Sequence, residues 1–336
     1  MTIRNNKILK NLLYLCSFLL LMLIIYITLL KITYSNLNPE RDIQSHNKYN
    51  NIQADDDKKS NKMIDDKLSK QHDEQVHPAS IEVTPRLDTL KNNKPLLIDR
   101  NKIKSIDKQI KSPVINEGKF HSTFGKEVIF IYFTHNRESF LPYFPKDTTP
   151  DEAYHSEINI SLVGERLQHS LRLNGIWSTV FNNDIFTILD ILNLDFSHSY
   201  AISREMVKKE KKSNKSLVLF FDLHRDSLTR EYTTTSINGN DYAKLLFVIG
   251  NGHTNYKENL AFANELHELI NMKYPGLSKG VMIKDTTQGN GVYNQDLSPG
   301  SVIIEIGGVE NSFEELFRSA DVLGYIVGEY YWENYH

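Results

Sequence analysis

Cysteine is almost missing from this chain: its 336 residues contain one, Cys16. No disulfide can close within the chain, and no set of thiolates can build a metal site. Any metal would be held by His, Asp or Glu. An excess of charge is missing too. Lys and Arg total 39 against 42 Asp and Glu, a formal balance of −3, so nothing in the overall charge directs the chain to nucleic acid or to an anionic membrane surface. There is no internal repeat. Between residues 35 and about 120, sustained apolar periodicity is absent as well. Stretches such as HNKYNNIQADDDKKSNKMIDDKLSKQHDEQ cannot bury enough surface to offset the entropy of ordering.

What is present begins with NLLYLCSFLLLMLIIYITLL at 11–30. This uncharged run has the length of a bilayer-spanning helix. Arg4, Lys7 and Lys10 precede it, which places residues 1–10 in the cytoplasm and the rest of the chain outside. A cleaved signal peptide is the alternative, but the run is long for one and no small-x-small site follows. A buried core helix fits less well, because polar sequence follows directly. The expected organisation is a cytoplasmic segment at 1–10, a transmembrane helix at 11–30, a flexible polar tether at 31–122 with short helical pieces near 97–111, and a folded domain at 123–336. His46, His72 and His77 fall in the tether and carry no assigned role.

From about residue 125 apolar strands alternate with helical periods. EVIFIYFT (127–134), IWSTVF (176–181), SLVLFFDL (216–223), TTTSIN (233–238), AKLLFVIG (243–250), GVMIKDT (280–286) and SVIIEIGG (301–308) read as strands. Segments 159–175, 197–212, 256–276 and 312–331 read as helices. The strands are continuous apolar runs rather than in-out alternations. The expected fold is α/β, a mainly parallel twisted sheet with helices on both faces.

In open sheets of this kind sites form beyond the carboxyl ends of strands. In FIYFTHNRESF (130–140) a buried strand ends on Thr134-His135, and Glu138 follows three residues later. The strand at 216–223 delivers Asp222, His224, Arg225 and Asp226. The strand at 301–304 delivers Glu305, and that at 243–249 delivers Gly250, Asn251 and then His253. Two His and one carboxylate are a common ligand set for catalytic zinc, with a fourth position open to water. His135, Glu138 and His224 supply it. Glu305 would take a proton from the water and pass it to a leaving nitrogen. Arg225 could stabilise the oxyanion, and Asp222 or Asp226 could orient an imidazole.

Taken singly, each residue has a plainer explanation. His135 could be a hydrogen-bonded rim residue, Glu138 a solvated loop carboxylate, and Asp226 part of a loop ion-pair cluster. Glu305 could be a satisfied structural acid, although a carboxylate among Ile303, Ile304 and Ile306 is costly to bury unpaired. Glu157, just before a helix, is the rival third ligand. His253 reads as an ordinary loop residue. His155, His169, His198 and His267 have no carboxylate partner of equal promise.

THNRESF (134–140), DLHRDS (222–227), FVIGNGHTNYKENLAFA (247–263), YPGLSKG (274–280), YNQDLSPGS (293–301) and EIGG (305–308), in this order, resemble the stage II sporulation protein P family over residues 125–330. The resemblance implies a zinc-dependent N-acetylmuramoyl-L-alanine amidase of endospore formers, with a fold similar to zinc amidase and carboxypeptidase-like hydrolases. It implies peptidoglycan as substrate, with endopeptidase action on cross-links besides. It implies stage II sporulation proteins D and M as partners in engulfment, and a single-pass location in the cell membrane with the catalytic domain between mother cell and forespore. Carried over by motif, His135 and His224 are the site histidines, Glu305 the catalytic glutamate and Glu138 the third ligand. Asn294 and Gln295 would bind substrate. Family members often carry His-Thr-His where this chain has Phe133-Thr134-His135; alternation turns Phe133 away from the metal. A zinc carboxypeptidase or endopeptidase on wall peptides is the competing enzyme class. A non-catalytic tethered wall-binding module is the competing class without chemistry.

Overall fold

The computed structural model describes residues 85–114 and 121–335. The chain divides into two units, Met1–Val76 and His77–His336, and all described residues belong to the second. The expected cytoplasmic segment, the membrane helix at 11–30 and most of the tether lie outside the described residues. Among the described residues no helix is long and apolar enough to cross a membrane.

The described chain opens with two helices, α1 (Leu87–Lys91) and α2 (Arg100–Gln109). Asp99 caps α2 by accepting the Lys102 N–H at 2.9 Å. Both lie inside the expected tether, yet they are packed: Ile103 and Ile106 enter the main core, and Leu90 is buried with Tyr154 and Phe186. Packed residues are therefore found inside the segment read as tether, in the part that is described. A few well-spaced apolar residues suffice to dock a mostly polar helix onto a domain already present.

Next come β1 (Ile129–Tyr132), α3 (Ser161–Leu173), β2 (Ser178–Val180), α4 (Ile185–Leu192), α5 (Ser199–Ser213) and β3 (Leu219–Asp226). They are followed by a single turn, α6 (Arg230–Thr233), a hairpin of β4 (Thr234–Ile237) and β5 (Asn240–Ala243), then β6 (Leu245–Gly250), α7 (Tyr256–Lys273), β7 (Ser278–Lys284), β8 (Ser301–Gly308) and α8 (Phe313–Asn334). The strand read at 233–238 pairs only with β5, in a two-stranded sheet of its own. Asn238 and Gly239, at φ 50° and 77°, make its turn; both residue types tolerate the left-handed region that a two-residue hairpin loop needs.

Among the described residues the main sheet has six strands in the order β2-β1-β3-β8-β6-β7. Strands β2, β1, β3 and β8 run parallel, and so do β6 and β7, but β6 meets β8 antiparallel. Alternation sorts the side chains. Ile129, Ile131, Leu219, Phe221, Leu223, Ile304 and Ile306 enter the large core with α3, α7 and α8. Phe130, Tyr132 and Phe220 face the other way, toward Val207 of α5, and Ile303 faces Leu246, Val248 and Tyr293. Helices thus cover both faces, as the apolar strands required. Phe133 lies in the large core, so its ring points away from Thr134's face. It presses on α3, where a Cβ on Gly164 would lie 2.3 Å from the ring.

The antiparallel step at β6 overturns one expectation. Gly250, Asn251 and His253 follow the end of β6 at the opposite end of the sheet from the ends of β1, β3 and β8. They cannot join residues delivered there.

Candidate metal centre

Strand β1 stops at Tyr132 and the chain turns through residues 134–137, closed by the Glu138 N–H donating to the His135 carbonyl at 3.1 Å. That turn folds Glu138 back under His135, and the two side chains stand 3.7 Å apart. His224 arrives from β3, with its Nδ1 3.4 Å from Glu138 Oε2. One ligand atom from each of His135, Glu138 and His224 lies within 4.8 Å of the others, and all three residues are buried. The two imidazole rings stand at 89° with centroids 5.0 Å apart. His135 stacks on Phe196 at 4.6 Å and meets the edge of Tyr200 at 5.6 Å, which fixes its plane. The Arg225 backbone N–H donates to Glu138 Oε2 at 3.0 Å and holds the carboxylate in place.

Electrostatics follow from burial and mutual contact. Burial alone would raise the pKa of Glu138, but His224, and then the hydrogen bond from His135, hold it well below the usual carboxylate range. Burial would lower the pKa of His224; the charges of Asp222 and Glu138 outweigh it and hold the imidazole well above its ordinary value. Asp222 Oδ1 lies 3.2 Å from His224 Nε2, an ionic contact without hydrogen-bond alignment.

Glu305 is the direct cross-strand neighbour of His224 on β8, and alternation puts both on the same face of the sheet. Its Oε2 is buried with no hydrogen-bond partner among the described residues. Burial, then the charge of Asp226, push its pKa up to about 8. Asp226 is itself paired at 2.9 Å with Lys279, an ion pair buried on both sides. Two imidazoles and a carboxylate converging beside an unpartnered acid fit a divalent cation and a polar reactant.

Other expected site residues are elsewhere. The Arg225 guanidinium turns away from the cluster. It donates to the carbonyls of Ser139 at 2.8 Å and Pro150 at 3.2 Å and packs against Tyr154, so it ties down the loop after Glu138. Glu157 is exposed on the turn before α3 and is not part of the His-Glu-His group. Gln295 is 1% exposed and spends its amide on backbone, accepting from Gly250 N–H and donating to the Val248 carbonyl. Asn294 is also buried and donates to Ser203 Oγ at 2.9 Å. Sequence reasoning passed over Thr134, whose N–H and hydroxyl both donate to Asp222. Its place beside His135, on the same face as Asp222 and His224, was the available signal. It passed over Ser203 too, for which no local signal exists.

The family model for Stage II sporulation protein P (SpoIIP) matches residues 19–328. Stage II sporulation protein P of Bacillus subtilis (strain 168) is 44% identical over 212 residues, covering 63% of this chain and 53% of the relative. The aligned part thus spans about half of that relative's length. Similar solved structures include the CwlD amidase from Clostridioides difficile in complex with the GerS lipoprotein, at 14% identity and a TM-score of 0.40 over 62% of this chain and 99% of that one. An N-acetylmuramoyl-L-alanine amidase from Clostridium difficile 630 gives 14% identity and a TM-score of 0.37 over 63% and 99%. Likeness at that level carries no argument. The family match, which spans nearly the whole chain, does: the chain belongs to the stage II sporulation protein P family.

Proposed function

We propose that this protein hydrolyses the amide between N-acetylmuramic acid and L-alanine in peptidoglycan, with zinc held by His135, Glu138 and His224 and with Glu305 as general base. The observation that carries the reading is the convergence of three ligand atoms within 4.8 Å, with Glu305 the cross-strand neighbour of one of them. Zinc bound there would supply Lewis acidity, polarising the amide carbonyl and making a water easier to deprotonate near neutral pH. Glu305 takes the proton of the attacking water on its carboxylate. From there the proton passes to the leaving nitrogen. Glu138, held low, stays ionised throughout. Phe196 and Tyr200 hold His135 from outside.

Further parts of this proposal rest on sequence and family. They are the anchor at 11–30, which would put the hydrolase outside the cytoplasm, and engagement of stage II sporulation proteins D and M during engulfment.

The test is digestion of purified sacculi by the full-length chain, with products identified by mass spectrometry. The expected products are peptides beginning with free L-alanine and muramic residues without peptide, lost on chelation and restored by zinc. New ends only inside the stem peptide would turn the reading to an endopeptidase or carboxypeptidase. Binding without any release would turn it to a wall-binding module.

A further inference from the structure

The stretch 293–295 is left without a role by the chemistry above, and its shape is unusual. Tyr293 and Asn294 both hold left-handed backbone, at φ 51° and 59°. Two successive non-glycine residues there are strained and persist only where the surroundings impose them. Asn290 Oδ1 accepts the N–H groups of Val292 and Tyr293 on one side. On the other, the Gln295 amide is locked to β6 through Gly250 and Val248. The clamped turn presents the Asn294 amide to Ser203 of α5.

From there a line of hydrogen bonds runs inward. Asn294 Nδ2 donates to Ser203 Oγ at 2.9 Å. Ser203 Oγ is 2.9 Å from Thr134 Oγ1. The Thr134 hydroxyl donates to Asp222 Oδ2 at 2.6 Å, and its N–H donates to Oδ1 at 2.8 Å. The hydrogen bonds end at Asp222, whose Oδ1 stands 3.2 Å from His224 Nε2 in the ionic contact described above. Asn294, Ser203, Thr134 and Asp222 are at most 3% exposed. A hydroxyl has one proton, and that of Thr134 goes to the carboxylate, the nearer acceptor. The Ser203 hydroxyl has one proton and two acceptors in reach, Thr134 Oγ1 at 2.9 Å and the Tyr200 carbonyl at 3.2 Å, and its oxygen accepts from Asn294.

Resting on the metal-site reading above, we propose that Asn294, Ser203 and Thr134 are positioning residues that orient Asp222 and, through it, the His224 ring that presents Nδ1 to the cation. Asn294 is then not a substrate contact. Outer partners of this kind change metal affinity by about 10–100-fold when removed.

The experiment measures cobalt(II) and zinc affinity of the full-length chain by chelator competition, together with the cobalt visible absorption band. Asn294→Gly suits the test because glycine accepts the left-handed backbone and removes only the amide. Thr134→Val removes the hydroxyl at nearly constant volume, and Thr134→Ser restores it. The expected result is about 10–100-fold weaker binding with a shifted cobalt band in Asn294→Gly and Thr134→Val, and near-parental behaviour in Thr134→Ser. Parental affinity and an unshifted band in Asn294→Gly and Thr134→Val, even with a lowered melting temperature, would overturn the relay and leave the metal site standing. Failure of the parental chain to bind either metal would overturn both.

Discussion

Glu305 is held at a cost. Its carboxyl is buried and faces Asp226, and its pKa stands near 8 instead of the usual 4.5. A raised carboxyl pKa means that the folded chain keeps a proton the unfolded chain has lost. Below pH 4.5 both states are protonated and the residue is neutral in its effect. Between 4.5 and 8 it increasingly opposes folding, and above 8 the penalty is complete. Glu305→Gln should therefore raise the melting temperature of chelator-treated protein at pH 8, by an amount on the order of a few kcal/mol in stability, and leave it unchanged at pH 4. The same variant should retain zinc and lose about 10²–10⁴-fold in turnover on sacculi. Unchanged turnover would remove it as the base. His224 gives the metal its own pH dependence. Asp222 and Glu138 hold its pKa high, so a cation must displace a proton, and affinity measured by competition should fall as pH drops. His135→Ala and His224→Ala should lose zinc and activity together. Metal content should fall in Glu138→Ala and stay unchanged in Glu157→Ala. At this scale His135, His224 and Glu305 stood out because each sits one step past or within an apolar run, where a polar side chain needs a reason, and Glu138 because it follows His135 by three residues. Arg225 was misread because a sequence does not show which way a guanidinium turns. The bonds from Asn294 through Ser203 to Thr134 join residues about ninety and seventy positions apart, and no local pattern records such pairings.

Elements tell a similar story. The strands and the long helices were visible in hydrophobic period and in their stop signals, such as Asn174-Gly175 after α3. Helix α4 was not read, although Asp184 caps it and Asn193 ends it in left-handed backbone; at eight residues it is short enough for its apolar run to pass as loop. Strand direction in β6 was beyond reach, because an apolar strand buried on both faces looks alike in either sense. Helices α3 and α8 are joined by Arg166, which donates to both oxygens of Asp321 at 2.7 and 2.5 Å. The same guanidinium donates to the carbonyls of Asp107 and Ile110 at the end of α2. Removing one partner of a buried pair leaves the other uncompensated. Arg166→Met should cost about 3–5 kcal/mol in denaturant unfolding and speed amide exchange across 100–110. Gly164→Ala tests the close approach of α3 to β1. Alanine favours helix over glycine by about 1 kcal/mol, but overpacking against Phe133 costs about 1–3 kcal/mol, so net destabilisation is expected.

For the molecule as a whole, the docked α1 and α2 move the start of the folded unit. A chain beginning at 121 exposes the surfaces that Leu90, Ile103 and Ile106 cover. It should melt lower than one beginning at 85, and a matched melting temperature would show the two helices to be passengers. Composition concealed this because it averages over long windows, and three apolar residues hardly alter the average.

The sheet order has a further consequence, one of timing. Strand β8 is the last in chain order of the six described strands of this sheet, yet it lies between β3 and β6 near the middle. Until it inserts, the first three strands and the later pair share no edge, and His224 lacks its cross-strand neighbour Glu305. On the proposed function, a chain clipped before β8 would lack both Glu305 and the joined sheet, and it should release nothing from sacculi.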